Sequence, residues 1–438
     1  MTSAADNDLL TRVGPGTPMG NFMRQFWVPA LMSSELLPDA APTRLMILGE
    51  KLIAFRDTAG QVGIFDHRCP HRCASLFFAR NEQGGLRCAY HGWKFDATGQ
   101  CSEMPNVPER LGFAEKIRAK AYPTAERGGL IYIYMGDRKE LPPLPEIEPT
   151  LCPQDDTMVI CRQRECNWLQ AMEGDLDTSH FGFLHGGLID AADLDPATMD
   201  RFQVRHRAPE YYVKETEWGA MYAAHRPAEA GETYYRFAHF VLPFWTLYPN
   251  GALTHNVAGN IWVPMDDTHT MVFNVGWKKR VAPLATFKDG APIPGLERRA
   301  EYLPNSDDWF GRWRSAVNRD NDYMIDRDVQ RDRSFTGISG VTHQDMAVTE
   351  SMGEIVDRTL EHLAVSDRMI MITRQRLLAA ALAFAKDGTL PGLLDQPSLA
   401  RYARGGDALA PASQDWLDVY DQNMSRAQGP LGKASAAE

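Results

Sequence analysis

A chain of 438 residues with 44% apolar and 24% charged side chains is too long for one core and has the make-up of a folded protein, so wholesale disorder is excluded and two or three structural units are expected. A formal charge of −11 speaks against a general nucleic-acid binder, and no run approaches the roughly 18 apolar residues of a membrane span. The N-terminus, MTSAADNDLL, has neither the basic start nor the apolar block of a secretory signal. The expectation is a cytoplasmic protein whose cysteines are thiols or metal ligands and not disulfides.

Residues 1–25 read as an N-terminal arm. The next stretch is strand-like: RLMILGEKLIAFRD, VGIFD and GGLIYIYMG are short, rich in Ile, Leu, Phe and Tyr, and separated by Gly and Asp turns. This all-β unit, residues 26–150, closes at LPPLPEIEPTLCP, whose prolines suit neither a helix nor a central strand and mark a linker. Further β-like runs from Tyr211 to Trp277, among them YYRFAHFVLPFWTLYP, fit an antiparallel sheet with one buried face. After Asp367, MIMITRQRLLAAALAFAKDG reads as a helix stopped by Gly388. The second unit therefore spans 151–425, and 426–438, Ala-, Gly- and Ser-rich, reads as a flexible tail. The fold class is α+β: an all-β domain followed by a domain with an antiparallel sheet covered by helices.

Two constellations carry chemistry. In the first, Cys69-x-His71 is followed after sixteen residues by Cys88-x-x-His91. Each pair suits a hairpin tip at which backbone N–H groups point at sulfur. Two thiolates and two imidazoles fit tetrahedral zinc or a two-iron cluster with two histidines on one iron. Zinc fingers tend to group cysteines together and histidines together; here each loop supplies one of each, which favours a Rieske centre. Cys73 and Cys101 fall outside the pattern and read as small buried apolar groups.

The second is Asp177-x-x-His180-x-x-x-x-His185. On an unbroken helix five residues would turn His185 about 140° from His180, so convergence on one metal needs a bend, which Gly182 permits. Asp177 can accept a hydrogen bond from the His180 ring and fix its tautomer. If the histidines were merely structural, Glu173 and Asp175 would be ordinary helix surface. A non-haem Fe(II) site also needs a carboxylate, and spacing leaves Asp367 as one of several candidates.

Together these motifs resemble the large component of Rieske non-haem iron ring-hydroxylating oxygenases. LTRVGPGTPMGNFMRQFWVPAL, CNWLQAMEGDLDTSHFGFLH and QDMAVTESMGEIVDRTLEHLAVSDRMI are similar to its phthalate dioxygenase branch. The resemblance implies one Rieske 2Fe-2S cluster per subunit, with Cys69 and Cys88 on one iron and His71 and His91 on the other. It also implies one mononuclear Fe(II) held by His180, His185 and Asp367. Asp177 would bridge a Rieske histidine of one subunit to His180 of its neighbour in a homo-oligomer, a trimer or stacked trimers, and Asn167 matches a position close to the iron. Cys73 departs from the branch, standing where a Gly is expected.

No G-x-G-x-x-G dinucleotide fingerprint is present, so NADH would act through a separate flavin and iron–sulfur reductase. The expected activity is O2-dependent hydroxylation, dihydroxylation or O-dealkylation of an aromatic substrate, such as phthalate or a phenoxybenzoate. Arg205, Arg207 and Arg236 could each pair with a substrate carboxylate, and Arg207 is taken as the substrate-binding residue. The run from Tyr234 to Tyr248 either walls an aromatic pocket or packs in the core. The alternative from another class is a zinc-stabilised, non-redox binding protein.

Overall fold

The computed structural model describes residues 2–298 and 300–431. The arm forms two helices, α1 (Ala4–Thr11) and α2 (Pro18–Met23). Ser3 and Thr17 cap their free N–H groups, and Pro18 opens α2, where its missing N–H costs nothing. Three small antiparallel sheets follow. One joins Trp27–Met32, Leu130–Tyr134 and Thr124–Arg127; another joins Thr43–Ile47, Glu50–Arg56, Val62–Asp66 and Ala121–Tyr122. The third, built from Arg80–Glu82, Gly85–Arg87, Lys94–Phe95 and Cys101–Glu103, holds the cysteine/histidine loops. RLMILGEKLIAFRD is a hairpin turning at Leu48 and Gly49, both at positive φ, as a two-residue turn between twisted strands requires. Leu48 tolerates that conformation because the turn is docked: its N–H and that of Gly49 donate to the carbonyls of Pro264 and Met265, and Arg24 donates to its carbonyl.

The second unit is an eight-stranded antiparallel sheet. From one edge the strands run Thr157–Arg164, Thr270–Trp277, Ala258–Pro264, Trp245–Leu247, Glu232–Val241, Gly219–Pro227 and Glu210–Thr216, with Gly406–Pro411 also pairing to Glu232–Val241. Its helices are α3 (Trp168–Leu176), α4 (Asp200–Arg205), α5 (Arg327–Asp332), α6 (Val341–Ser351), α7 (Arg368–Asp387) and α8 (Trp416–Arg426). Gly388, at φ +78, ends α7 as expected.

Because strand side chains alternate, register alone sorts the faces. Tyr234, Arg236, Ala238 and Phe240 share one face with Arg226, Tyr222, Thr246, Asn260 and Arg162, while Tyr235 and Phe237 point oppositely and pack under α8. The aromatic run from Tyr234 to Tyr248 is thus divided between the face toward α3 and the core under α8.

The arm is an integral layer: Phe22 packs on Phe384 of α7, and Asn7 accepts from Arg358. Glu173 of α3 is buried against Arg374 of α7 (2.6 and 2.9 Å) and Arg358 (3.3 Å), not on a helix surface. Burial would raise its pKa, but the two guanidiniums outweigh that and hold the carboxyl low. The proline-rich linker is pinned too, since Trp27 donates to the carbonyl of Pro142 and Glu148 takes a bidentate contact from Arg404. Residues 427–431 continue onto the same domain, with Gln428 bonded through its backbone to Thr254 and Arg404, so the described part of the expected tail, 426–431, is docked. Residues 432–438 of that expected tail lie outside the described residues.

Candidate metal centres

The two cysteine/histidine loops share one local design. The N–H of Cys73 closes onto the carbonyl of Cys69 (2.9 Å) and that of Gly92 onto Cys88 (3.0 Å). Both closing residues are left-handed, at φ +60 and φ +76. Cys73 is therefore a non-glycine residue in a glycine conformation, and it is exposed, contrary to the buried role expected of it; Cys101 is buried. Cys69 and Cys88 are buried close enough for their thiols to interact, while His71 and His91 sit half-buried at the rim with ring centroids 4.4 Å apart. The neighbouring thiol first, then the backbone N–H groups of Tyr90 and His91, favour a thiolate at Cys88 against the effect of burial, while the same contact and burial hold Cys69 as the thiol. His71 stacks on Trp93 at 4.2 Å, and His91 Nδ1 is buried with no partner. Two adjacent sulfurs behind, two imidazoles in front and an orphaned ring nitrogen fit a two-iron cluster with mixed ligands.

The second centre lies where α3 ends. Asp177 terminates α3 in an extended conformation, and His180–Gly182 is a single tight turn, so the histidines are not on one helix. The bend brings their rings to 5.0 Å. Asp177 Oδ1 accepts from the N–H and Oγ of Ser179, both at 2.7 Å, leaving Oδ2 3.4 Å from His180 Nδ1. The Nε2 atoms of His180 and His185 lie 3.8 and 3.2 Å from Oδ1 of Asp345 on α6. One donor atom from each of these three residues lies within 4.8 Å of the others. Burial would raise the pKa of Asp345, yet the two imidazoles and Arg164 hold it below the usual range. Two imidazoles and an ionised carboxylate on one side of a point suit a ferrous ion with open positions.

Two expectations are corrected here. Asp367 is not the carboxylate of this group: its Oδ2 accepts from the N–H of Ala364 (2.7 Å), closing its own turn at the start of α7, the position first-turn aspartates occupy without any metal. Asn167 is not catalytic: it is fully buried as the cap of α3. Its Oδ1 accepts from Leu169, and its Nδ2 donates to the carbonyls of Thr11 and Asp267, so it staples the arm to the domain.

Around the second centre, Asp175 accepts from Thr246 (2.6 Å) and Asn260 (2.7 Å) on the sheet, and burial pushes its carboxyl up to about 6 despite those donors. Asp177 lies near Tyr211 and Tyr222: burial raises both phenols, the Asp177 charge comes next at Tyr211, and at Tyr222 it follows the effect of Tyr211. Arg236 lies under the loop, 5.9 Å from the Phe181 ring, with Asp200 at 3.7 Å and its Nε unpartnered. Arg226 beside it is fully buried with Nη1 unpartnered. Arg207 braces the histidine loop, donating to the carbonyl of Gly187 (3.1 Å) and lying over Phe183 at 5.1 Å. Arg205 is exposed and 3.8 Å from Glu229. Sequence reasoning missed Asp345 and Gln344, the burial of Glu173 and the inward bonds of the half-buried Asp175; the Gln-Asp pair sat inside a block quoted only for its resemblance.

Residues 26–123 match the Rieske [2Fe-2S] domain family and residues 133–433 the family described as LigXa C-terminal domain like. The chain is 47% identical to the 3-chlorobenzoate-3,4-dioxygenase oxygenase subunit of Comamonas testosteroni, over 97% of this chain and 99% of that one. It is 34% identical to the phthalate 4,5-dioxygenase oxygenase subunit of Pseudomonas putida, over 95% and 94%. Among solved structures, dicamba monooxygenase bound to 3,6-dichlorosalicylic acid superposes with a TM-score of 0.54 at 18% identity, over 84% of this chain and 99% of that one, a likeness of fold.

Proposed function

We infer that this chain, which belongs to the Rieske non-haem iron oxygenases as an α subunit, is the oxygenase component of a multicomponent system and oxidises an aromatic carboxylate of the chlorobenzoate or phthalate class. The observation that carries the reading is the convergence of His180, His185 and Asp345 beside a sheet face with under-partnered buried arginines. Membership of this family leaves the zinc-bound, non-redox alternative without support.

We assign Cys69, Cys88, His71 and His91 to the 2Fe-2S cluster, and His180, His185 and Asp345 to the mononuclear iron. Bound there, the cluster supplies electrons singly and the mononuclear iron supplies the site at which O2 is activated. The chain's own residues orient and insulate. Ser179 holds Asp177 by two short hydrogen bonds, so its free oxygen stays aimed at His180 Nδ1. His71 and His91 at the rim and the partly accessible Asp177 support an electron path between neighbouring copies of a homotrimer or stacked trimers. Arg236 and Arg226 offer unpartnered guanidinium nitrogens to a substrate carboxylate, with Arg207 bracing the loop above. The electrons would come from a flavin and iron–sulfur reductase using NADH. Seven free cysteines support a reducing, cytoplasmic setting.

The test is product analysis. The iron-loaded protein, a surrogate reductase and NADH are supplied with 3-chlorobenzoate, phthalate and a phenoxybenzoate, and O2 uptake is followed alongside products. The expected result is an oxygenated or dealkylated product from at least one of them, with matching O2 uptake. Fully loaded protein that oxidises none overturns the carboxylate reading.

A further inference from the structure

The imidazole of His185 is gripped by two consecutive residues of α6. Asp345 approaches Nε2, and Oε1 of Gln344 lies 2.6 Å from Nδ1. Gln344 is fully buried, and its amide cannot be read the other way round. Its Nε2 donates to the carbonyls of Gly295 (3.1 Å) and Ile338 (2.8 Å), groups that only accept. Oε1 therefore faces the ring and Nδ1 carries a proton, which in the neutral imidazole leaves the lone pair on Nε2, toward Asp345 and His180.

We propose that Gln344 is the positioning residue of this centre: a neutral amide clamp that fixes the tautomer and aim of His185. The proposal rests on the metal assignment made above.

A second feature supports the clamp independently. Gly295 is at φ +89, and a Cβ there would lie 2.7 Å from Gln344 Nε2 and 3.0 Å from Ser334 Oγ. The backbone passes so close to the amide that only glycine leaves it in place. Gly295 sets Gln344, Gln344 sets His185, and the ring presents one nitrogen. The two histidines are thereby treated unequally: His180 leans on the carboxylate of Asp177 at 3.4 Å, whereas His185 is held by an uncharged acceptor at closer range. A carboxylate in place of Gln344 would face the two carbonyls of Gly295 and Ile338, so the neutral amide is the group this pocket accepts.

The test uses full-length protein with its cluster assembled, and Co(II) as the probe of the second centre. Gln344→Met keeps the bulk and removes the acceptor. It should weaken Co(II) binding by about 10–100-fold and alter the visible spectrum of the bound ion, with the cluster absorption unchanged. General loosening of the fold would lower occupancy but leave that spectrum as in the wild type. Should Gln344→Met fail to fold, Gly295→Ala displaces the same amide and should change the Co(II) spectrum in the same direction. A wild-type spectrum and affinity in Gln344→Met, or in Gly295→Ala where that variant has to stand in, overturn the proposal. If instead His185→Ala binds Co(II) as tightly as the wild type, it is the metal assignment that falls.

Discussion

The two metal centres are built on opposite plans. The cysteine/histidine cradle is local: two loops within residues 67–95 each close on themselves, and each brings one sulfur and one imidazole. The second centre is assembled at long range, a broken helix end supplying two imidazoles and α6, with Gln344 159 residues beyond His185, supplying the carboxylate and the amide that aims one ring. A local cradle states its ligands in its spacing. A centre closed by tertiary packing states only those ligands that share a segment.

The sharpest way to break this comparison is to remove each candidate carboxylate. Asp345→Ala should empty the second centre of iron and lower turnover at least about 100-fold while the cluster absorption stays intact, because its carboxylate is the anionic member of the triad. Asp367→Ala should keep its iron and lose only the capping of one turn, about 1 kcal/mol or less. Iron-to-protein ratios with thermal melts of both variants decide it. The reverse pattern would return Asp367 to the site and make α7, not α6, the third contributor.

The same division governs what could be read in advance. The strand character of the first unit and the stop at Gly388 were legible because each is written in a short stretch of sequence, and so was the bend that convergence of His180 and His185 requires; the pairings that close the small sheets, Trp27 with Tyr134 and Ile64 with Tyr122, were not. Asp345 was not: an aspartate on a polar helix face looks the same whether or not two imidazoles face it. Asn167 misled for the opposite reason. A polar residue at a helix start beside a metal loop fits either chemistry or capping; Oδ1 caps Leu169, and the carbonyls of Thr11 and Asp267, from distant segments, take up the Nδ2 donors that chemistry would need. Glu173 was hidden likewise, since its arginines come from another part of the chain.

A half-buried acid bonded to the sheet sharpens the contrast further. Asp175 carries a carboxyl pushed up to about 6 by burial, against the ordinary 3.8, so the folded protein holds its proton more tightly than the unfolded chain. Between roughly pH 4 and 6 the native state therefore binds more protons, and its stability falls as pH rises through that window. Asp175→Asn removes the penalty and can still accept from Thr246 and Asn260. The variant should be more stable than the wild type by on the order of 2–3 kcal/mol above pH 7, with the gap vanishing below pH 4. Iron in the neighbouring centre favours the ionised acid, so the gap should narrow in loaded protein. Denaturant unfolding at pH 4 and pH 8, with and without iron, measures it, and a gap independent of pH would mean that Asp175 is ionised throughout.

The smallest effect is expected in the local cradle, where the two loops differ at their closing residue. A Cβ on Gly92 would lie 2.7 Å from the Pro105 ring, so that loop has no room for a side chain. Cys73 holds the equivalent left-handed conformation in the open, its thiol exposed. A left-handed non-glycine residue costs about 1–2 kcal/mol, and a glycine returns part of that gain through the greater freedom of the unfolded chain. Cys73→Gly should thus stabilise the domain by about 0.5–1 kcal/mol, a rise of about 1–3 °C in melting temperature, with the cluster absorption unaltered. Because no burial is lost at an exposed position, any destabilisation would have to come from a contact the thiol makes outside its own loop. The left-handed turn, and not the residue that fills it, is then what the cradle requires at both ends.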